Sequence, residues 1–221
     1  MNSGDARRVG PPPVEADQGE DPALGFERMV FFSDAVFAIV ITLLVLPLTA
    51  EINLPDGGHG LATQVLALWP RVLTFVISFL VVGQFWIAHH RNFGLIDRQD
   101  RALLWLNLIS LLTVAFMPFP AALLGSHSTA HDAFPVVFYA ASMTATSMAL
   151  TVSWLYAVRH GLVRDSLSPA RTHEISQRAV ISSTVIALSI PAALLGLPVA
   201  LVFWLVVLPA ARSLASRRRR R

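Results

Sequence analysis

Long apolar runs dominate the chain, and short polar stretches separate them. A run of about 20 apolar residues is long enough to cross a bilayer as one helix. The first four runs predict transmembrane spans at about Glu27–Ala50, Leu61–His90, Ala102–Leu124 and Ala133–Val158. The last run, Ala179–Ala211, is too long for one crossing, and the helix-breaking triplet Gly196-Leu197-Pro198 divides it into two short spans. The pattern predicts an all-α polytopic membrane protein with six transmembrane helices per subunit.

Arginine-rich and arginine-free segments alternate between these spans. Arginines follow spans two, four and six, and the loops that follow spans one and three contain none. The positive-inside rule places arginine-rich loops in the cytoplasm, so both termini are expected there. We expect a disordered cytoplasmic tail at residues 1–25, a transmembrane domain at 26–212 and a basic cytoplasmic tail at 213–221.

The composition excludes several classes of function. Of the 221 residues, 54% are hydrophobic and only 14% are charged, where a soluble domain of this size carries roughly a quarter. The formal charge of +3 comes from arginines placed as membrane-orientation signals, so we expect no nucleic-acid partner. The chain has no cysteine, which excludes disulfides, thiolate metal sites and cysteine nucleophiles.

Asp34 is the one acid predicted to lie inside a span. A charge there costs at least about 3 kcal/mol on insertion scales, so a buried carboxylate needs partners. Arg28 is six positions earlier, which is a poor spacing for an ion pair along one helix. His89 or His90, and next Asn107, are the expected partners from spans two and three. The alternative is an acid near the interface, stabilised by the helix dipole.

A stripe of apolar residues follows Asp34 in span one. At about 100° per residue, Ile39, Leu43 and Leu46 share one face of the helix, with Thr42 at its edge. Asp34 lies about 140° from that face. If the stripe faces a pore, Asp34 therefore faces the protein interior.

Span two contains a proline about a third of the way along its predicted length. Pro70 removes a helix hydrogen bond, so we expect a kink there. Arg71 is then near the outer interface, where its side chain can extend to lipid headgroups beside the interfacial Trp69.

The sequence lacks the residues that a metal site or a catalytic site would need. His89 and His90 are adjacent, so their side chains point about 100° apart and do not suit one metal ion. The serines of spans four and five have no acid nearby to orient a base. We expect no catalytic residue, no metal and no cofactor. A secondary transporter that uses Asp34 as its coupling charge stays open as the alternative.

Several motifs resemble a known family. They are Arg28-x-x-x-Phe32-Ser33-Asp34, Ala38–Leu44, Leu68-Trp69-Pro70, Ser78-Phe79, Trp86–Phe93, Trp105-Leu106-Asn107 and Phe116–Phe119. Together they resemble transmembrane protein 175, the endosomal and lysosomal potassium channel family, in its prokaryotic single-repeat form. The resemblance is strong over spans one to three. Spans four to six agree in hydropathy and topology only.

The resemblance implies a function and an assembly. It implies a potassium-permeable cation channel in the bacterial plasma membrane, a homotetramer whose first helices line a pore on the symmetry axis. The family's isoleucine constriction corresponds to Ile39, with Leu43 and Leu46 as further candidate gate residues. Thr42 corresponds to the threonine implicated in potassium preference. Modest selectivity for K+ over Na+ among monovalent cations is expected, and the resemblance leaves proton permeation open.

The resemblance also implies a polar network that supports the pore helix. Its members are Arg28, Phe32, Ser33, Asp34, His89, His90 and Asn107.

Overall fold

A computed structural model describes residues 22–49, 66, 68–127 and 133–204. Its helices are α1 (Pro22–Leu43), α2 (Leu46–Thr49), α3 (Trp69–Phe93), α4 (Arg101–Phe116), α5 (Pro118–His127), α6 (Phe134–Arg159), α7 (Pro169–Ala193) and α8 (Leu197–Val202). Within the described ranges the strand signal is one isolated bridge between Ile96 and Val163. The all-α prediction is confirmed.

The helices are long and apolar enough for a membrane protein. The described residues form membrane-length helices at Gly25–Leu48, Trp69–Phe93, Arg101–Ser126, Phe134–Arg159 and Pro169–Ala193. The first of these combines α1 with α2, and the third combines α4 with α5. The predicted sixth span begins at α8, and its remainder lies outside the described residues, as do the chain ends at 1–21 and 205–221.

The predicted division of the last apolar run is present. α7 ends at Ala193, and Gly196 then takes a φ of 105°, a conformation that favours glycine. Leu197 begins α8 directly afterwards. The triplet therefore separates two helices as its residue types predict.

The helix of span five extends beyond the apolar run that begins at Ala179. α7 begins ten residues earlier, at Pro169, because Ser168 caps it by accepting a hydrogen bond from the Arg171 N–H. Proline is favoured in the first turn of a helix, where its missing N–H has no partner to lose. The first turns of α7 are polar, so hydropathy alone does not identify them as part of the helix.

Pro70 stands at the start of a helix, and the residues that would form the other side of the expected kink lie mainly outside the described residues. α3 begins at Trp69, so Pro70 lies in its first turn and interrupts no internal hydrogen bond. Val72 instead donates its backbone N–H to the Leu68 carbonyl at 3.0 Å, and α3 continues to Phe93.

Hydroxyl groups join the central helix α6 to its neighbours. The Ser183 hydroxyl of α7 lies 2.8 Å from those of both Ser147 and Thr151 of α6. On the other side, the hydroxyls of Ser110 in α4 and Ser153 in α6 are 3.1 Å apart. Small and hydroxyl side chains allow close helix contact in lipid, which places α6 between α4 and α7.

Two loops are tied together at one end of the bundle. The loop after α3 and the loop after α6 exchange backbone hydrogen bonds, from Asp97 to Leu162 and from Arg164 to Leu95, both at 3.0 Å. The Arg164 guanidinium also reaches the Asp97 carboxylate at 2.7 Å. Met29 of α1 joins the apolar cluster at this end. The start of α1 and these two arginine-bearing loops therefore share one end of the molecule.

Asp100 stabilises the same end. One carboxylate oxygen accepts the Leu103 backbone N–H at 2.7 Å and so caps α4, and the other accepts the Tyr156 hydroxyl of α6 at 2.7 Å. Burial alone would raise the pKa of Asp100. The hydrogen bonds from Leu103 and Tyr156, with smaller contributions from His160 and the Ala102 N–H, outweigh it and hold that pKa below its ordinary value.

Replacing Asp100 should lower the thermal stability of the purified protein. Asp100→Ala removes both the cap and the Tyr156 acceptor, and loss of a cap costs about 1 kcal/mol. Asp100→Asn retains a capping oxygen and should be milder. Because the folded pKa is depressed, the benefit of the carboxylate over the amide is present above the unfolded pKa and is lost as pH falls through the folded pKa. Thermal unfolding of both variants at neutral and acidic pH measures this; a difference between wild type and Asp100→Asn that widens at acidic pH would contradict it.

Candidate functional site

α1 has one face buried in the subunit and one face left uncovered. Phe37, Val40 and Leu44 are almost fully buried against the other helices. Ile39 is 58% exposed and Leu46 is 54% exposed. The predicted stripe of Ile39, Leu43 and Leu46, with Thr42 beside it, lies entirely on the uncovered face.

The polar group beside this stripe is the Thr42 hydroxyl. It donates a hydrogen bond to the Ile39 carbonyl at 2.7 Å, so the lone pairs of its oxygen stay available to a cation. α1 ends one residue later, at Leu43, and Val45 donates its N–H to the Thr42 carbonyl at 3.3 Å. α1 therefore ends within the stripe, before Leu46, and the C-terminus of a helix carries the negative end of its dipole.

A chain of buried polar side chains fixes the opposite face of α1. The Asn107 amide nitrogen of α4 donates to the Ser33 hydroxyl at 3.0 Å, and Ser33 donates to the Met29 carbonyl at 2.8 Å. The Asn107 amide oxygen lies 2.9 Å from His89 Nε2 of α3. One amide thus connects α1, α4 and α3.

The direction of donation along these hydrogen bonds assigns the tautomer of His89. Because the Asn107 nitrogen donates to Ser33, its oxygen faces His89 and must accept, so Nε2 carries a hydrogen. His89 Nδ1 is buried and has no hydrogen-bond partner among the described residues. The ring stacks on Phe93 with centroids 4.1 Å apart and contacts Phe37 at 5.4 Å. His89 therefore acts as a neutral donor in an aromatic setting.

Asp34 belongs to a second polar group at the edge of the buried face. Its Oδ1 accepts the indole N–H of Trp86 at 2.8 Å, and its Oδ2 lies 3.8 Å from Nδ1 of the exposed His90. The Asp34 side chain is 31% exposed. The acid is therefore neither isolated nor deeply buried in the subunit.

The structure brings some of the predicted network together and separates the rest. Ser33, His89 and Asn107 form one chain, and Asp34 meets His90 in a second group. Asn107, a candidate partner of Asp34, binds Ser33 instead. Arg28 and Phe32 lie on the exposed side of α1.

Trp86 is the polar partner that the sequence reasoning missed. It precedes His90 by four residues, so the two side chains share a helix face, and their rings are 5.5 Å apart. An indole N–H inside a span needs an acceptor, and Asp34 offers one at a similar depth. The four-residue spacing between Trp86 and His90 was the sequence signal that could have identified Trp86 as a partner of Asp34.

The described residues contain no group of three or more His, Asp or Glu side chains that could hold a metal ion. His89 and His90 diverge to different partners, as their adjacency predicts.

Removing the Asn107 amide alone should destabilise the protein more than removing it together with its histidine partner. Asn107→Leu leaves the buried His89 N–H unsatisfied, which costs about 1–3 kcal/mol. His89→Phe in the same chain removes that donor and suits the contacts with Phe37 and Phe93. We expect the double variant to unfold at a higher temperature in detergent than Asn107→Leu. Additive losses would show that the two side chains do not interact.

The chain is similar in sequence to known proteins. Residues 28–118 match the family described as endosomal/lysosomal potassium channel TMEM175. A potassium channel from Streptomyces collinus is 40% identical over 142 residues, covering 62% of this chain and 67% of the relative. The human endosomal/lysosomal proton channel TMEM175 is 34% identical over 116 residues, covering 51% of this chain and 22% of that protein.

A solved structure is similar over most of the chain. It is the crystal structure of a lysosomal potassium-selective channel TMEM175 homolog from Chamaesiphon minutus, with a TM-score of 0.70 and 27% identity, covering 87% of this chain and 98% of the other. A potassium channel from the same species is 37% identical over 153 residues and is covered over 72% of its length. The chain therefore belongs to the endosomal/lysosomal potassium channel TMEM175 family.

Proposed function

We propose that the protein is a potassium-permeable cation channel. The observation that carries the proposal is the uncovered stripe that includes Ile39 and contains no charged residue, on a helix whose other face is held by buried side chains and the Asn107 chain. The Streptomyces and Chamaesiphon relatives are called potassium channels, which supports the same function here.

The uncovered face is best explained by a homotetramer. A subunit with one pore-facing helix needs copies around an axis to enclose a path, and closed rotational symmetry is the common way to assemble copies. In this assembly α1 of each subunit lines the axis. Each subunit is embedded in the lipid bilayer through its remaining spans.

The gate in this proposal is a hydrophobic constriction. Ile39 is the narrowest level, and Leu43 and Leu46 continue the same face. A narrow apolar ring excludes water, and an ion that must lose its hydration cannot pass until the ring widens. Rotation or tilt of α1 would therefore open the pore.

Selectivity in this proposal rests on dipoles. The stripe contains no charged ring, but four Thr42 hydroxyl oxygens and four helix C-termini would face the axis just beyond Ile39. Their partial negative charges favour cations over anions. Because potassium loses its hydration more easily than sodium, a weak dipolar site gives modest potassium preference.

The cellular setting follows from the arginine pattern. We propose the bacterial plasma membrane, with both termini in the cytoplasm, because the arginine-bearing loops and the start of α1 share one end of the bundle. The tails proposed at residues 1–25 and 213–221 would then be cytoplasmic, although α1 already begins at Pro22.

A transporter that uses Asp34 as a coupling charge is the alternative. Asp34 accepts a hydrogen bond from Trp86 and lies off the stripe, which favours a structural role. Single-channel recording from purified protein in planar bilayers separates the two functions. Unitary current steps carried by potassium support the channel, and their absence despite substrate-coupled flux would support the transporter. A pH gradient in the same recording tests proton permeation.

Ile39→Asn should raise conductance and resting leak. A polar ring stays hydrated at a radius where an isoleucine ring dries, so the barrier to ions falls. Ile39→Leu keeps the ring apolar and is the matched control. Unchanged conductance in Ile39→Asn would place the constriction at another level, with Leu43 and Leu46 the next candidates.

Thr42→Ala should reduce the preference for potassium over sodium while current remains. The variant loses one hydroxyl dipole per subunit, and an interaction of about 0.5–1.5 kcal/mol corresponds to roughly a two- to tenfold change in permeability ratio. Thr42→Ser keeps the hydroxyl and should retain the preference. Reversal potentials in mixed potassium and sodium solutions measure both, and an unchanged ratio in Thr42→Ala would exclude a role for this hydroxyl.

A further inference from the structure

A cavity lies beside the end of the proposed pore helix, away from the Asn107 chain. Its volume is about 340 Å³, within the range of small-molecule sites. The end of α1, α2, the first turns of α3 and the α5 segment surround it, and its lining includes Leu44, Leu46, Arg71, Thr74, Phe75 and Gly125. The cavity is therefore formed by segments from the first three spans.

The described lining of the cavity is positively charged. Among the lining residues that the structure describes, Arg71 is the one charged residue and none is an acid. Arg71 also lies in the first turn of α3, where unsatisfied backbone N–H groups give the helix end a partial positive charge. The guanidinium has five N–H donors, so it can bind an oxyanion in addition to a protein contact. An anion is the favoured occupant.

The rest of the lining is mainly apolar. Leu44, Leu46 and Phe75 border the cavity, and the exposed Trp69 precedes Arg71 at the same end of α3. Tryptophan at the end of a transmembrane helix is typical of the headgroup level of a bilayer. A ligand that combines an oxyanion with acyl chains fits this lining better than a free anion does.

We propose that this cavity binds the phosphate headgroup of an anionic phospholipid. Arg71 is the residue that pairs with the phosphate, while the acyl chains leave along the apolar wall. The Thr74 hydroxyl donates to the Pro70 carbonyl at 3.1 Å, so its oxygen remains an acceptor for a hydroxyl-bearing headgroup such as glycerol. Phosphatidylglycerol has both the charge and these donors.

Occupancy of the cavity would bear on the gate. Leu46 both lines the cavity and belongs to the proposed pore stripe. A bound headgroup between α2 and α3 therefore favours one position of the segment that follows Leu43. This consequence rests on the proposed channel function, whereas the binding site does not.

Native mass spectrometry of the detergent-purified protein tests the site directly. Phosphatidylglycerol, phosphatidylcholine and inorganic phosphate are added separately, and the bound fraction is measured for wild type and variants. We expect phosphatidylglycerol to bind most tightly. Arg71→Gln should weaken it at least about tenfold, since a charge-assisted hydrogen bond contributes about 1.5–3 kcal/mol. Arg71→Lys should recover part of the loss.

Two further variants distinguish binding in this cavity from a general effect of removing a positive charge. Arg171→Gln removes the same charge from an exposed position on α7 and should bind phosphatidylglycerol like wild type. Gly125→Leu fills the cavity without removing charge and should also weaken binding. A Cβ at Gly125 would meet Arg71 and Thr74 at an ordinary 3.7 Å, so the backbone admits a side chain.

The proposal is overturned if Arg71→Gln binds phosphatidylglycerol as tightly as wild type. Equal binding of phosphatidylcholine would also overturn it, and equal binding of inorganic phosphate would show an anion site that does not select lipid. Because binding is measured without current, a failed channel recording leaves this test intact. In bilayers with and without phosphatidylglycerol, a change in open probability that Arg71→Gln abolishes would support the link to the gate.

Discussion

The Asn107 side chain hydrogen-bonds two other helices at once, and the orientation of α1 depends on it. Its nitrogen donates to Ser33 of α1 and its oxygen accepts from His89 of α3. Lipid-embedded helices gain no hydrophobic driving force from one another, so packing and directional hydrogen bonds decide how each helix is rotated. Both groups of the amide are satisfied in one arrangement, and rotating α1 would leave buried polar atoms unpaired.

The rotation of α1 about its axis determines which of its other side chains are buried and which are exposed. With Ser33 held inward, Phe37, Val40 and Leu44 are buried, and Ile39 and its stripe are uncovered. Asp34 then lies at the edge between the two faces, where the Trp86 indole binds it. A carboxylate in this position is satisfied without facing the proposed pore. The same orientation places Leu46 beside the cavity that contains Arg71.

Much of this organisation could be predicted from the chain, because hydropathy and helical periodicity are local properties. The spans, the break at Gly196 and the exposed face of Ile39 follow from them. Partner choice between helices is not local. Trp86 was therefore missed as a partner of Asp34, and Asn107, a further candidate partner of Asp34, binds Ser33 instead. The helix starts at Trp69 and Pro169 were missed for other reasons. Pro70 was placed inside a helix although it lies in a first turn, and the polar first turns of α7 do not belong to an apolar run.

Cysteine accessibility tests the orientation of α1 most directly, because the chain contains no native cysteine. Ile39→Cys places a thiol on the proposed pore face, and Leu112→Cys places one on α4, where Leu112 is 69% exposed and is expected to face lipid. Potassium current is recorded while a charged, water-soluble thiol reagent is applied to each variant. The account predicts block of the Ile39→Cys current and no effect on Leu112→Cys. Block of Leu112→Cys with an unaffected Ile39→Cys would contradict it.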